Sequence, residues 1–220
     1  MTLFLDSACV DDARRAADLG FVVGLTTNPT LIGKALKSEP QPSIGRIKTR
    51  EDLIAAICDV FPGTVMVQLT AETPEERKTE GERLVKLRQG QVGLKIPSTS
   101  ENFPIARYFA AQGYPVGMTT IFSAGQAFLA CEAGVKIIFP YVNRSTRLLG
   151  DGLALVRQMR SVIDGLNSPV QILAASIKST SEAVDTIIAG AHGLTLPLEL
   201  MLALGDHPYS QQSIAEFAKS

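Results

Sequence analysis

The chain has 220 residues, of which 45% are hydrophobic and 20% charged, enough to bury the core of one domain of α/β-barrel size but few for two domains. A formal net charge of -1 gives no overall attraction for nucleic acid or an anionic membrane, so both kinds of binding are disfavoured. The three cysteines (Cys9, Cys58 and Cys131) lie far apart without CxxC spacing and the two histidines are few, which argues against a disulfide framework or a metal site.

The N-terminus reaches Asp6 without a basic leader or a long apolar stretch, so neither export nor membrane spanning is indicated and a cytoplasmic location is expected. From there, short apolar runs recur with room for a helix between them. Eight are predicted as strands: residues 3–5, 21–25, 65–69, 92–96, 116–119, 135–139, 170–174 and 194–196. This alternation predicts a single (β/α)8 TIM barrel over residues 1–220. An open doubly wound sheet stays an alternative, lowered because no GxGxxG follows the first strand.

Helix boundaries are marked by capping residues, glycines and prolines. Thr73-Pro74-Glu75-Glu76 combines a capping box with proline at the first helical position, and Gly90 is predicted to close that helix. Similar starts are predicted at Thr49, Ser123 and Ser179. Residues 36–48 contain two prolines and are predicted as a loop extension, a surface excursion rather than a lid. Helices are also predicted over residues 197–205 and, to end the chain, 213–220.

Polar residues follow most of the predicted strands, at the barrel end where sites of this fold class lie. In chain order they are Asp6, Asn28, Gln68, Lys95, Thr119, Tyr141 with Arg144, and Ser176 with Lys178. Each comes after an apolar run. The pattern therefore predicts one polar cluster above an apolar barrel interior.

Lys95 is the principal candidate for chemistry, because the run VGLKIP places an amine inside an otherwise apolar strand. Burial disfavours the charged form, and a neutral lysine is the nucleophile that condenses with a ketone to form an imine. The alternative is a lysine that snorkels to solvent or pairs with a carboxylate. Spacing alone leaves both interpretations open.

The other candidates also have two interpretations. Asp6 can carry a proton or cap the following helix, and Asn28 can hold substrate hydroxyls or only begin a turn before Pro29. Arg144, with Ser176 and Lys178, offers a local anion site, although a lone arginine is usually a solvated surface residue.

Six motifs in order resemble the small members of the transaldolase family, which include fructose-6-phosphate aldolase. They are residues 3–7 (LFLDS), 25–32 (LTTNPTLI), 94–97 (LKIP), 119–126 (TTIFSAGQ), 140–144 (PYVNR) and 173–178 (LAASIK). The resemblance runs from end to end. Each motif alone is weak, but all six on successive predicted strands are highly specific.

The resemblance implies roles for the polar cluster. Lys95 would be the Schiff-base lysine, Asp6 would assist proton transfer, Thr119 would hold the catalytic water, and Thr26 and Asn28 would bind the substrate. Arg144, Ser176 and Lys178 would bind its phosphate. No metal or organic cofactor is implied, because the protonated imine is the electron sink. Sugar phosphates are the expected small-molecule partners and a homo-oligomer the expected assembly.

Two positions bear on which reaction the family chemistry serves. The family's transaldolases usually carry glutamate where Gln68 stands and phenylalanine where Tyr141 stands, whereas its fructose-6-phosphate aldolases resemble this sequence at both. A tyrosine hydroxyl can manage the proton of a catalytic water. Aldol cleavage of fructose 6-phosphate is therefore the preferred prediction, with transfer of dihydroxyacetone to erythrose 4-phosphate as the alternative.

The sequence also departs from the family. Phe139 replaces a small residue and predicts a tighter pocket near Tyr141, while Lys178 replaces arginine and weakens forked phosphate binding. The extension at 36–48 bears on access. The tail after residue 208 is short, which puts the family's decamer in doubt. A non-catalytic sugar-phosphate binding protein is a remote alternative, and nucleic-acid binding is disfavoured by the acidic balance.

Overall fold

A computed structural model describes residues 3–37 and 47–219. In it, eight parallel strands close into one barrel in sequential order, which confirms the predicted (β/α)8 architecture and excludes an open sheet. The strands are β1 (Leu3–Asp6), β2 (Gly24–Thr26), β3 (Thr64–Gln68), β4 (Val92–Pro97), β5 (Val116–Ile121), β6 (Ile137–Pro140), β7 (Gln171–Ala174) and β8 (Gly193–Leu196). Strand β1 pairs with both β2 and β8, so the barrel has no free edge.

Helices cover the outside of the barrel. They are α1 (Val10–Asp18), α2 (Pro29–Lys37), α3 (Arg50–Val60), α4 (Pro74–Leu84), α5 (Phe103–Ala111), α6 (Ala124–Glu132), α7 (Val142–Leu149), α8 (Gly152–Gly165), α9 (Thr180–Ile188), α10 (Leu198–Ala203) and α11 (Pro208–Phe217). Within the described ranges, two helices follow β2, β6 and β8 instead of one. The apolar faces of these helices and the outward faces of the strands form one large core.

The inside of the barrel is filled by a few large side chains, most of which pack against glycines. The large residues are Phe4, Met66, Phe139 and Leu173. A Cβ at Gly24 would lie 2.0 Å from the Phe4 ring, and one at Gly117 would lie 2.4 Å from the Phe139 ring. These contacts explain why glycines interrupt the apolar strands: the rings occupy the space that other side chains would need.

Capping was well predicted at the helix starts. Thr49, Thr73 and Ser123 each form a full capping box, and the Ser179 hydroxyl accepts from the Glu182 amide. Gly90, in contrast, was wrongly predicted to close α4. That helix ends at Leu84, and Gly90, at φ +82°, belongs to the turn before β4, because only the turn requires a left-handed residue there.

Other boundaries also needed correction. Strand β2 begins at Gly24 rather than Phe21, whose side chain is 50% exposed, and β6 begins at Ile137 rather than Val135. Leu36 and Lys37 continue α2, because Leu36 packs against the core; most of the predicted loop, residues 38–46, lies outside the described residues. The last helix begins at Pro208 instead of residue 213.

Candidate active site

The carboxyl ends of the strands carry a layer of polar side chains above the apolar interior. On β1 to β5 these are the predicted residues Asp6, Thr26, Gln68, Lys95 and Thr119. Asp6 is the register partner of Thr26, and Gln68 is the register partner of Lys95. Since register partners on parallel strands share a face of the sheet, the closed barrel brings these side chains together at one end.

Lys95 is the buried lysine of this layer. Its side chain is 2% exposed, its Nζ is 3.4 Å from the Thr27 carbonyl oxygen, and the Phe139 ring centroid is 5.3 Å away. Burial lowers the pKa of Lys95, while the nearby Asp6 carboxylate acts in the opposite direction. Such burial excludes the snorkelling alternative and produces an amine suited to nucleophilic attack.

Asp6 interacts with Lys95 and is itself half-buried. Burial raises the pKa of Asp6, and Lys95, the Thr26 hydroxyl and Lys178 act against that rise. Thr26 Oγ1 donates to Asp6 Oδ1 at 2.8 Å, and it also lies 2.6 Å from Thr195 Oγ1 on β8. A carboxyl group with raised proton affinity beside a lysine with lowered proton affinity is a suitable arrangement for proton transfer.

Thr119 and Tyr141 form a second polar pair. Thr119 Oγ1 donates to the Tyr141 hydroxyl at 3.3 Å, and Phe122 holds the phenol ring edge-on with centroids 5.9 Å apart. Thr120, directly after Thr119, has φ +56°, and the β5–β6 register shifts there. A left-handed threonine is strained, and such strain is concentrated at functional sites.

Gln68 has an orphan polar atom next to Lys95. Its Oε1 is buried and has no hydrogen-bond partner among the described residues. The backbone that carries it is held by an ion pair between Arg50 and Glu80, in which Arg50 donates to the Gln68 carbonyl oxygen and Glu80 accepts from the Thr70 and Ala71 amides. The unpaired oxygen is thus available to a bound substrate or water.

Arg144 lies in the first turn of α7, whereas Ser176 and Lys178 lie in the segment between β7 and α9, and the two regions hydrogen-bond to each other. The Asn143 amide donates to the Ser176 carbonyl oxygen at 3.1 Å, and Glu182 accepts from both the Asn143 side chain and the Lys178 amide. Within the described residues neither Arg144 nor Lys178 forms an ion pair, and both are exposed. Two exposed cations outside any close ion pair are a suitable arrangement for an anion.

Asn28 has the role at a helix start that was one of its two interpretations from the sequence. Its Oδ1 accepts from the Leu31 amide at 3.0 Å and so caps α2. In the described part of the chain, its Nδ2 group has no partner. This NH2 group can therefore donate a hydrogen bond to the oxygen of a substrate hydroxyl.

Other kinds of site find no support in the described ranges. They contain no group of three or more His, Cys, Asp or Glu side chains placed to hold a metal ion. None of the helices in these ranges is both long and apolar enough for a membrane span.

Sequence reasoning missed three contributors to this site: Thr195, the Arg50–Glu80 pair and Glu182. Thr195 had a signal, since it is a lone hydroxyl inside the apolar run of β8. Arg50 and Glu80 had none, because thirty residues separate them and only the fold brings them together. Glu182 was visible only as part of a helix start.

Comparison with known proteins gives consistent family matches. The family model described as Transaldolase/Fructose-6-phosphate aldolase matches residues 3–220. A probable transaldolase of Prosthecochloris aestuarii is 32% identical over 217 residues, covering 99% of this chain and 96% of the relative. Proteins of the same name from Sorangium cellulosum and Parabacteroides distasonis are each 33% identical over 99% of this chain, and the match covers 95% and 96% of them.

Solved structures share the barrel but are remote in sequence. A mandelate oxidase mutant with the monooxide FMN adduct superposes with a TM-score of 0.59 at 17% identity, over 89% of this chain and 60% of its own. The same oxidase with 4-Br-2-hydroxy-methylphenylacetate gives a TM-score of 0.60 at 16% identity, over 92% and 67% of the two chains. At this identity the likeness concerns the fold alone.

Proposed function

The chain belongs to the transaldolase/fructose-6-phosphate aldolase family, and we propose that it is a Schiff-base aldolase that cleaves fructose 6-phosphate to dihydroxyacetone and glyceraldehyde 3-phosphate, or joins the two. One observation carries this proposal. Lys95 is buried in the barrel mouth with a lowered pKa, and Asp6 lies close enough to interact with it. A lowered pKa increases the fraction of neutral amine, which is the form that attacks a ketone.

The chemistry needs only side chains of this layer. The Lys95 amine adds to the C2 carbonyl of the sugar, and loss of water forms the protonated imine. A base takes the proton of the C4 hydroxyl, the C3–C4 bond breaks, and its electron pair moves towards the imine nitrogen. Glyceraldehyde 3-phosphate leaves. The remaining enamine is protonated at C3, and hydrolysis releases dihydroxyacetone and restores the amine. The imine is the electron sink.

The surrounding groups divide the remaining tasks. Asp6, with its raised pKa, is the carboxylate that accepts and returns a proton beside Lys95. The paired hydroxyls of Thr119 and Tyr141 position the water that hydrolyses the imine. Asn28 binds the hydroxyls of the dihydroxyacetone portion, while Thr26, which is fully buried, acts on the substrate through Asp6. Arg144 in the first turn of α7 binds the phosphate together with Lys178, and Ser176 lies beside them.

Transaldolase activity is the second candidate, and the names of the relatives favour it. It shares every step up to the enamine, which then attacks the aldehyde of erythrose 4-phosphate instead of taking a proton. Gln68 and Tyr141 support the aldolase. A neutral amide with an unpaired oxygen and a phenol next to Thr119 favour protonation and hydrolysis of the enamine without a sugar acceptor.

The discriminating experiment measures release of glyceraldehyde 3-phosphate from fructose 6-phosphate with and without erythrose 4-phosphate. Sustained release without the acceptor supports the aldolase, and turnover only with the acceptor supports the transaldolase. Gln68→Glu combined with Tyr141→Phe is expected to shift activity towards transfer. An unchanged ratio of cleavage to transfer would show that these positions do not determine the reaction.

Imine formation is tested separately by borohydride reduction in the presence of fructose 6-phosphate, followed by mass spectrometry. The adduct is expected on Lys95 and is expected to be absent from Lys95→Met, because methionine keeps the stem and removes the amine. The matched control is Lys136→Met, at an exposed lysine just before β6. A protein without any adduct would contradict the enzyme proposal and favour a non-catalytic sugar-phosphate binder.

A cytoplasmic location and a homo-oligomeric assembly belong to the same proposal. Large apolar side chains are exposed on α7 and α9, among them Leu148 at 67% and Ile188 at 77%. Exposed apolar surface of this kind is typical of subunit contacts. Light scattering on the purified protein tests the assembly, and a monomer at micromolar concentration would contradict it.

A further inference from the structure

Three oxygen atoms form a row across three adjacent strands at the barrel mouth. Asp6 Oδ1 on β1 accepts from Thr26 Oγ1 on β2 at 2.8 Å, and Thr26 Oγ1 is 2.6 Å from Thr195 Oγ1 on β8. The two hydroxyl side chains are buried, with 0% exposure for Thr26 and 1% for Thr195. Thr195 has no place in the mechanism given above, although its hydroxyl contacts a neighbour of the acid–base group.

Counting protons determines which atom donates in each contact. An ionised Asp6 has no proton to give, so the single hydroxyl proton of Thr26 lies on Asp6. Thr26 then has only lone pairs left for Thr195, and the proton in the 2.6 Å contact must come from Thr195. With Asp6 ionised, the row therefore runs in one direction, from Thr195 through Thr26 to the carboxylate.

We propose that Thr195 is a positioning residue for Asp6. Thr195 acts through Thr26, because it orients and polarises the Thr26 hydroxyl that stabilises the Asp6 carboxylate. This inference rests on the proposed role of Asp6 in proton transfer. A donor hydrogen bond to a hydroxyl makes that hydroxyl a better donor in turn, so the two bonds strengthen each other. The row favours the ionised form of Asp6 against the desolvation that opposes it.

Other charges also face Asp6, and the test must separate them from Thr195. Lys95 on β4 and Lys178 after β7 both favour the carboxylate, and burial favours the neutral acid. Thr195 carries no charge and interacts with Asp6 only if its effect passes through Thr26. That dependence distinguishes a relay of hydrogen bonds from a general change in the site.

The experiment is a double-mutant cycle read from the pH profile of kcat/KM for fructose 6-phosphate cleavage, whose acid limb reports ionisations of the free enzyme. Thr195→Val removes the hydroxyl and keeps the shape of the side chain. The hydrogen bond from Thr26 to Asp6 is then weaker, and the proton affinity of the Asp6 carboxylate rises. The acid limb should move to higher pH by a few tenths of a unit, because loss of one cooperative hydrogen bond weakens the next by about 10–30%. In the Thr26→Val background, the same substitution should cause no shift.

Two control variants distinguish a positioning role of the Thr195 hydroxyl from a merely structural one. Thr195→Ser keeps the donor and should restore the wild-type profile. Thr186→Val removes an equally buried hydroxyl, on α9, and should leave the acid limb unchanged. If Thr195→Val does not fold, Thr195→Ala is measured instead, because it also lacks the hydroxyl donor and has a smaller side chain. Equal shifts in both backgrounds, or no shift in the wild-type background, would overturn the proposal.

The same cycle is followed by 13C NMR titration of the Asp6 carboxyl carbon, which needs no turnover. If borohydride traps no imine in the wild-type protein, the proposed enzyme function fails, while the carboxyl titration still tests the hydrogen-bond row. If the imine forms but Thr195→Val shifts the Asp6 titration equally with and without the Thr26 hydroxyl, only the proposed role of Thr195 fails.

Discussion

The ion pair between Arg50 and Glu80 provides the largest predicted effect of a single substitution outside the reacting residues. Glu80→Gln keeps the size and shape of the side chain but replaces one oxygen by an NH2 group. In the structure, one oxygen faces Arg50 and the Thr70 hydroxyl, and the other accepts from the Thr70 and Ala71 amides at 2.8 and 3.0 Å. In either orientation, the new NH2 group must face at least one donor.

The expected loss is about 3 kcal/mol in the free energy of unfolding, the lower end for removing one partner of a buried ion pair. Side-chain exposures of 7% for Glu80 and 17% for Arg50 leave little solvent to compensate. In a chain of 220 residues this corresponds to a decrease of roughly 6–12 °C in Tm. Because the pair holds the backbone after Gln68, the ratio of cleavage to transfer should change as well.

Urea and thermal denaturation at neutral pH measure the effect. Glu51→Gln is the matched control: it lies in the same cleft between α3 and α4, and its partner Arg83 is 65% exposed. An exposed pair contributes about 0–1 kcal/mol. If Glu80→Gln costs no more than Glu51→Gln, the reasoning about the buried pair is refuted.

The pH dependence of this difference has a definite sign. Burial of Glu80 raises its pKa, but the Ala71 and Thr70 amides and Arg50 together lower the pKa below the ordinary 4.5. A carboxyl group whose pKa is lowered by folding stabilises the protein above its unfolded pKa and loses that contribution as the pH falls. The stability difference between wild type and Glu80→Gln should therefore shrink below about pH 4.5.

Two further substitutions test the barrel interior and the sheet. Gly117→Ala should lower the free energy of unfolding by roughly 1–3 kcal/mol and reduce imine formation, because its Cβ would lie 2.4 Å from the Phe139 ring beneath Lys95. Gly33→Ala is the control and should not destabilise, because the space around Gly33 is open. Equal denaturation midpoints for the two variants would contradict the prediction. His192 Nδ1 accepts a hydrogen bond from the Ile172 amide, and the pKa of His192 is lowered mainly by burial and secondly by the charge of Arg160. The free energy of unfolding should therefore fall as the pH drops below about 6.5, because the unfolded chain then binds the proton more readily. Denaturation at several pH values measures this dependence, which His192→Asn should flatten.

The repeating pattern of the chain was sufficient for the architecture. Apolar runs at helix-sized intervals predicted all eight strands, and local capping chemistry at Thr49, Thr73 and Ser123 predicted where helices begin. Such signals depend on residues within one turn of each other. The failures have the opposite origin: β2 does not begin at Phe21, and α4 does not end at Gly90, because pairing partners and packing decide where an element stops.

The candidate site was predictable in part for the same reason. Asp6, Lys95 and Thr119 could be named because each is a polar residue at the end of an apolar run, and in a closed barrel such ends meet. Phe139 was predicted from the sequence to tighten the pocket near Tyr141. The position of its ring beneath Lys95 was not predicted, because only the closed barrel brings β4 and β6 side chains together there.

The sequence by itself determined the fold class, the polar residues at the strand ends and the family, because periodicity, capping and ordered motifs are properties of neighbouring residues. Only the tertiary structure decided what surrounds those residues. Burial of the Lys95 amine, the hydrogen-bond row from Thr195 to Asp6 and the Arg50–Glu80 pair all join segments far apart in the chain. Proton affinity depends on those surroundings, since desolvation and neighbouring charges act through space.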